Sequence, residues 1–213
     1  HKRVSDGDQG PNTGGMGCIS NPGVVTKYIT SQINQIFKKT IEGLKKEKRP
    51  YKGVLYLGGM VVDKKVFIIE FNARWGDPEV QVILPSILND MYKVSMAIIS
   101  ESLKLLKIRT DDKTRIVVAA TSKGYPIDYS AVKGKKVFGI NKAREIEGVK
   151  IYGAGIKREG KNWVVNGGRV LYIVGEGKNV IEARKKAYEA MALINIEGNN
   201  LHYRTDIGWR DLK

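Results

Sequence analysis

Residues 66–79, Val-Phe-Ile-Ile-Glu-Phe-Asn-Ala-Arg-Trp-Gly-Asp-Pro-Glu, constrain what this chain can fold into more than any other stretch. Residues 66–71 are rich in β-branched and aromatic side chains, the composition of a strand, yet Glu70 and Asn72 stand at its end. Side chains alternate across a strand, so residues two apart share a face at about 7 Å spacing. Glu70 and Asn72 therefore offer two oxygen donors at one end of a sheet. Mg²⁺ carried by nucleotide phosphates takes such a site, with one or two protein oxygens and the rest from phosphate and water. Arg74, Asp77 and Glu79 follow in a turn shaped by Gly76 and Pro78. A strand running out into solvent would also carry Glu-x-Asn, and Gly-Asp-Pro is an ordinary turn sequence. Burial favours the site: Phe67, Ile69 and Phe71 on one face, with Val66 and Ile68 beginning the other, predict a strand covered on both sides. An unpartnered carboxylate there costs on the order of several kcal/mol. A metal or a nearby cation is the expected compensation.

The totals bound the alternatives. With 213 residues, 42% of them hydrophobic, the chain can bury a core in one large or two small domains. No apolar run approaches a membrane span and no signal-peptide pattern is present. The sequence opens with His1, inside a Gly-Asp-rich loop, so further protein is expected upstream. A single cysteine, Cys18, excludes an internal disulfide and a cysteine-rich metal cluster and suits a reducing cytoplasm. His1 and His202 are the only histidines, which argues against a histidine zinc site or catalytic triad. The net charge of +15 suits nucleic acid or phosphorylated small molecules. The basic residues are scattered, with short clusters at 45–49 and 184–186 and no interleaved aromatics to serve as a stacking platform. Solvated helix faces account for the excess, and neither nucleic acid nor membrane is expected as a partner.

Along the chain, residues 6–17 form a glycine-dense loop whose glycines permit positive φ and close approach to a ligand. No Gly-Lys-Ser/Thr follows and no strand precedes, so it is neither a P-loop nor a dinucleotide fingerprint. Pro22 then opens a predicted helix with Val25, Ile29, Ile33, Phe37, Ile41 and Leu44 at helical spacing, closed by Pro50. Residues 53–62 and 66–72 read as a hairpin, and 78–88 and 90–106 as two helices. The polar stretch 107–113 is the predicted boundary. Beyond it come strands near 115–121, 136–140, 149–156 and 163–174, with a Gly-Tyr-Pro turn at 124–126. Gly175 and Gly177 read as turn glycines before a helix over 179–194, since the third glycine of a dinucleotide loop would fall at Val180. The alternating charges of 203–210 predict a tail locked onto the body.

Separated segments along the chain carry a resemblance. Residues 2–17 resemble the substrate loop of the phosphoribosylamine–glycine ligase (glycinamide ribonucleotide synthetase) family. Arg74-Trp75-Gly76-Asp77-Pro78-Glu79-Val80-Gln81 is similar to its signature, with Trp75 where Phe or Leu is more usual. The Gly-Tyr-Pro turn, Gly167-Gly168-Arg169-Val170-Leu171 and the Tyr-Arg-x-Asp-Ile-Gly tail resemble its C-terminal domain, although Tyr152-Gly153-Ala154-Gly155 replaces Phe-His-Ala-Gly. The resemblance implies an α+β chain: the second half of an ATP-grasp domain over 1–107, then a small, mostly-β C-terminal domain with a packed helix over 108–213. It implies ligation of glycine to 5-phosphoribosylamine in purine biosynthesis, with ATP converted to ADP and phosphate through a glycyl phosphate.

By the same resemblance Glu70 and Asn72 would bind Mg²⁺ or Mn²⁺ on the ATP phosphates. Asp8, Asn12, Thr13, Gly14 and Gly15 would help form the phosphoribosylamine site. Arg74 would hold a substrate anion as the catalytic cation, with Asp77 and Glu79 shaping the pocket. The family's amino-terminal domain and adenine-gripping lid have no counterpart here, so a missing N-terminal portion is the expected partner and the chain alone is expected to be inactive. Two alternatives stand beside this: an ATP-grasp carboxylate–amine ligase with another acceptor, and a basic nucleic-acid-binding module.

Overall fold

The computed structural model describes residues 1–212. In chain order its elements are β1 (Arg3–Ser5), β2 (Gln9–Asn12), β3 (Gly17–Ile19), α1 (Lys27–Lys46), β4 (Tyr56–Val62), β5 (Lys65–Asn72), α2 (Val80–Ile83) and α3 (Met91–Ile99). There follow β6 (Thr114–Ser122), β7 (Lys136–Phe138), α4 (Ile140–Arg144), β8 (Val149–Gly153), β9 (Ile156–Glu159) and β10 (Asn162–Val165). The last are β11 (Arg169–Gly177), α5 (Val180–Met191), β12 (Asn195–Ile196) and β13 (Leu201–His202). Two compact units share them: residues 1–20, 77–86 and 112 onward make the first, and 21–76 with 87–111 the second.

The first unit is organised by β6 and β11. They pair antiparallel from Thr114↔Gly177 to Thr121↔Arg169 and are wholly apolar through their centres, residues 116–120 and 170–174. Ile116, Val118 and Ala120 pack with Leu171 and Ile173 on one face, under Ala183, Ala187, Ala190 and Met191 of α5. Val117 and Ala119 pack with Tyr172 and Val174 on the other face, against Val82 of α2. Both faces therefore need a cover, and two segments distant in sequence supply it. The β8 strand extends the sheet beyond β11, while β3 and β13 share the free edge of β6. A second antiparallel sheet, in the order β12-β7-β10-β9, adds Val137, Val165 and Ile196 to the first core.

Glycine lets α5 lie close. A Cβ on Gly175 would stand 2.1 Å from the Ala183 carbonyl oxygen, and one on Gly177 2.7 Å from the Ala183 amide. These two are strand residues under a helix, not the turn glycines expected. The helix itself starts where Asn179 Oδ1 accepts from the Glu182 amide at 3.0 Å and the Glu182 carboxylate accepts from the Lys178 amide at 3.0 Å, a reciprocal cap. The strands expected at 149–156 and 163–174 are each interrupted, at 154–155 and 166–168. There a Cβ on Gly155 would lie 2.6 Å from Gly167 Cα, and the Gly155 amide donates to the Arg169 carbonyl while its own carbonyl accepts from the Asn166 amide, both at 2.7 Å.

In the second unit α1 begins at Lys27, not Pro22, because Thr26 Oγ1 accepts from the Ile29 amide at 3.3 Å. The β4–β5 hairpin turns at Asp63 and Lys64, with φ of 47° and 61°, the left-handed pair that matches strand twist. Gln32 of α1 clamps that turn, donating to the Lys64 carbonyl at 2.8 Å and accepting from the Val66 amide at 3.1 Å. The helix expected at 90–106 ends at Ile99, where Glu101 takes φ 59°. In the first unit, that expected at 78–88 shortens to α2 and a 3₁₀ turn, Leu84–Ser86, because Pro85 lacks the amide a longer helix requires.

The hairpin departs most from expectation. Phe67, Ile68 and Ile69 are 54%, 50% and 64% exposed, so β5 is not covered on both faces. Its pairing shifts between Gly58↔Glu70 and Gly59↔Ile68, leaving Ile69 as an extra residue in a bulge. The bulge re-phases the strand: Phe67, paired with Met60, shares a face with Glu70, while Phe71 shares the other with Ile68. Desolvation therefore does not force a partner on Glu70 within this unit.

Filling the α5 contact tests the packing. Gly175→Val should destabilise the first unit by at least about 2 kcal/mol through overpacking, read as a lowered denaturant midpoint. An unchanged midpoint would return Gly175 to a turn role.

Candidate functional site

Within the first unit, residues 12–15 close a loop held from several sides. Thr13 Oγ1 donates to the Lys2 carbonyl at 2.7 Å and accepts from the Gly15 amide at 2.9 Å, so its hydroxyl is fully engaged. The Gly14 amide donates to Tyr125 Oη at 2.9 Å. Gly15 takes φ 124°, and a Cβ there would lie 2.6 Å from Pro78 Cδ. Asn12 is exposed. The structure thus brings Asn12, Thr13, Gly14 and Gly15 together with residues 77 and 78, as one loop on one scaffold.

Arg169, at the start of β11, ties these parts to one another. Its Nη1 donates to the Asp77 carbonyl at 2.8 Å and to the Gly15 carbonyl at 3.4 Å, and Nη2 donates to Asp77 Oδ2 at 3.0 Å. Gln81 Nε2 donates to the other Asp77 oxygen at 3.2 Å. Both carboxylate oxygens of Asp77 are therefore occupied by the protein. Glu79, half-buried, immediately precedes α2.

Asp8 lies in a separate ionic brace. Arg204 is fully buried. It donates from Nε and Nη2 to the two oxygens of Asp206, both at 2.7 Å, and from Nη1 to Asp8 Oδ1 at 2.8 Å and to the Arg3 carbonyl at 3.2 Å. Arg210 pairs with the other Asp8 oxygen, the Gly7 amide with Asp206, and the Thr205 amide with Asp6. The tail is locked as its charges predict, and Asp8 is one of the groups that lock it. The hydrogen bond from Arg204 holds the Asp8 carboxyl below its usual range. Burial pushes Asp206 up, but the Arg204 guanidinium and the Gly7 amide outweigh it and bring its pKa to about 2.

In the second unit, Glu70 and Asn72 pair with Gly58 and Tyr56 across the hairpin, with Leu57↔Phe71 between them. They share a face, as expected. Glu70 is exposed and Asn72 half-buried, and Gly58 leaves the space over Glu70 clear of a cross-strand side chain. Arg74 is exposed and folds back, Nη1 donating to the Trp75 carbonyl at 2.8 Å. Among the described residues no group of three His, Cys, Asp or Glu is placed to hold a metal. A carboxylate and a carboxamide oxygen on one open face fit a hard cation that brings its own oxygen ligands.

Two family models match the chain in order: the ATP-grasp (A) domain of phosphoribosylglycinamide synthetase over residues 1–80, and the C domain of the same enzyme over 115–210. The fold is therefore of the ATP-grasp type. A phosphoribosylamine–glycine ligase of Caldanaerobacter subterraneus subsp. tengcongensis is 41% identical over 208 residues, 97% of this chain and 48% of that protein. The trifunctional purine biosynthetic protein adenosine-3 of Gallus gallus is 40% identical over 212 residues, 99% of this chain and 21% of that protein. The crystal structure of phosphoribosylamine–glycine ligase from Thermotoga maritima superposes with a TM-score of 0.83 at 35% identity, covering 97% of this chain and 50% of that one. This chain belongs to the phosphoribosylglycinamide synthetase family. It spans about half the length of the single-activity ligases it matches.

Arg169, Tyr125 and Arg204 lie in segments that carry the family resemblance, but the sequence assigns none of them a place at the site. Each acts on a loop more than a hundred positions away, a distance no local spacing reports.

The brace has a pH signature. Asp8 and Asp206 are held below their unfolded values, so their stabilisation is complete above about pH 4 and is lost as pH falls toward about 2. Acid titration followed by circular dichroism should show that loss, and Arg204→Met should reduce it. An Arg204→Met protein with the same change in stability between these pH values would contradict the brace.

Proposed function

We propose that this chain is part of an ATP-dependent ligase that joins glycine to 5-phosphoribosylamine, giving glycinamide ribonucleotide, ADP and phosphate in purine biosynthesis. The observation that carries the reading is the 41% identity to a phosphoribosylamine–glycine ligase over 97% of the chain. In this reading residues 1–107 are the second half of the ATP-grasp domain and 108–213 the C-terminal domain. An upstream portion supplies the grip on adenine. The reaction belongs to the cytoplasm, and no helix among the described residues is long and apolar enough to cross a membrane.

The chemistry activates the glycine carboxylate as a glycyl phosphate, so two anions must be brought together. Glu70 and Asn72 would hold Mg²⁺ or Mn²⁺ with the ATP phosphates; the bound ion neutralises phosphate charge. Arg74, released from the Trp75 carbonyl, would hold the glycine carboxylate and neutralise charge developing there. The loop of Asn12, Thr13, Gly14 and Gly15 would receive phosphoribosylamine, its glycines leaving no side chain between backbone and ligand. Asp8 and Asp77, already paired with arginines, would shape that pocket by holding its walls. Glu79 would complete the wall beside Asp77. Water must be kept from the acyl phosphate until the amine attacks. No side chain need act as a nucleophile, and positioning supplies much of the rate.

In the polypeptide extended to the length of the ligases it matches, Glu70→Gln should preserve the fold. It should raise the KM for metal–ATP about tenfold or more, the order of one lost charge-assisted contact. Unchanged metal dependence would make Glu70 structural. ADP release that does not require phosphoribosylamine would remove the acceptor assignment and favour a ligase with another amine, and the 213-residue chain alone is expected to release none.

A further inference from the structure

We infer that Arg169 is a positioning residue for the phosphoribosylamine loop, an inference that rests on the ligase reading above. Its side chain is 19% exposed, unlike the fully buried Arg204, so burial of a structural charge does not explain it. The pairing of β11 with β6 shifts register between Arg169 and Leu171, and such bulges re-aim the side chains beside them. The guanidinium lies against the ring of Tyr172, 5.6 Å from Cζ to its centroid. From there it holds Asp77 through both carbonyl and carboxylate, and it reaches the Gly15 carbonyl.

Gly14 lies against the guanidinium. A Cβ on Gly14 would lie 2.8 Å from Arg169 Cζ and 3.2 Å from Nε, so only a glycine allows the approach. The same Cβ would lie 2.8 Å from Arg169 Nη2, the nitrogen that binds the Asp77 carboxylate. One planar cation thus sets the position of the loop backbone against the Asp77 segment. Lysine cannot replace it, because a single ammonium lacks the fork that spans the carbonyl and carboxylate of Asp77.

The consequence is selective. Displacing Arg169 should disturb the amine-substrate loop and leave glycine and metal–ATP, assigned to Arg74, Glu70 and Asn72, largely as they were. In the full-length enzyme, Arg169→Met and Arg169→Lys should each raise the KM for phosphoribosylamine about tenfold or more, the scale of one or two charge-assisted hydrogen bonds. The KM values for glycine and ATP should stay within about twofold. Gly14→Ala approaches the same contact from the other side, pushing the guanidinium away, and should reproduce the phenotype even where Arg169→Met fails to fold. A common shift in all three KM values, or a loss of thermal stability with no KM change, would overturn the inference and leave Arg169 a structural residue. A parent enzyme with no phosphoribosylamine-dependent ADP release would instead overturn the ligase reading.

Discussion

Everything in the first unit hangs on a pair of antiparallel strands that are apolar on both faces. An antiparallel pair of this kind commonly leaves one face to solvent, but β6 and β11 cannot. Ile116, Val118 and Ala120 demand one cover, and Val117 and Ala119 another. The helix α5 supplies the first at a close approach set by Gly175 and Gly177. Val82 supplies the second, which brings residues 77–86 onto the sheet far from their neighbours in sequence. The pairing of β3 with Ile116, Val117 and Val118 brings in the end of the glycine loop. Burial of two strands is thus what gathers the candidate substrate residues.

Two arginines then convert proximity into geometry, and they do so differently. Arg204 is wholly buried, and its Nε, Nη1 and Nη2 all bind acceptors, joining residues 3–8 to the tail. Removing one partner from such a buried cluster is costly because it strands the other charges. Arg169 is partly exposed and lies against a glycine. The first arrangement closes the chain's ends onto each other. The second sets the spacing of two walls of one loop.

The sequence was most readable where local chemistry decides the outcome. The hairpin expected over 53–62 and 66–72 forms, Asn179 opens the last helix, and Glu70 and Asn72 share a face. The clustered charges of 203–210 also behaved as read. What could not be read was set by distant partners. Glu70 and Asn72 keep one face only because the bulge at Ile69 lies before them. The burial expected of β5 depends on segments that would have to cover it, and within the second unit α1 packs against it without burying Phe67, Ile68 or Ile69. Asp8 is expected to help form the phosphoribosylamine site and Asp77 to shape its pocket, and the structure adds what spacing cannot show: their carboxylates bind Arg204 and Arg169, residues more than ninety positions away. Gly175 and Gly177 read as turn glycines because spacing shows the helix that follows but not that it folds back over the strand they belong to.

Hydrogen exchange resolved by residue tests the dependence of the loop on the sheet most directly. If β6 and β11 hold it, the amides of Cys18 and Val82 exchange only through the opening that also frees Val118 and Ile173, which pair directly across the two strands, with matching free energies. Rapid exchange at Cys18 and Val82 while Val118 and Ile173 remain protected would show that the sheet does not organise the site.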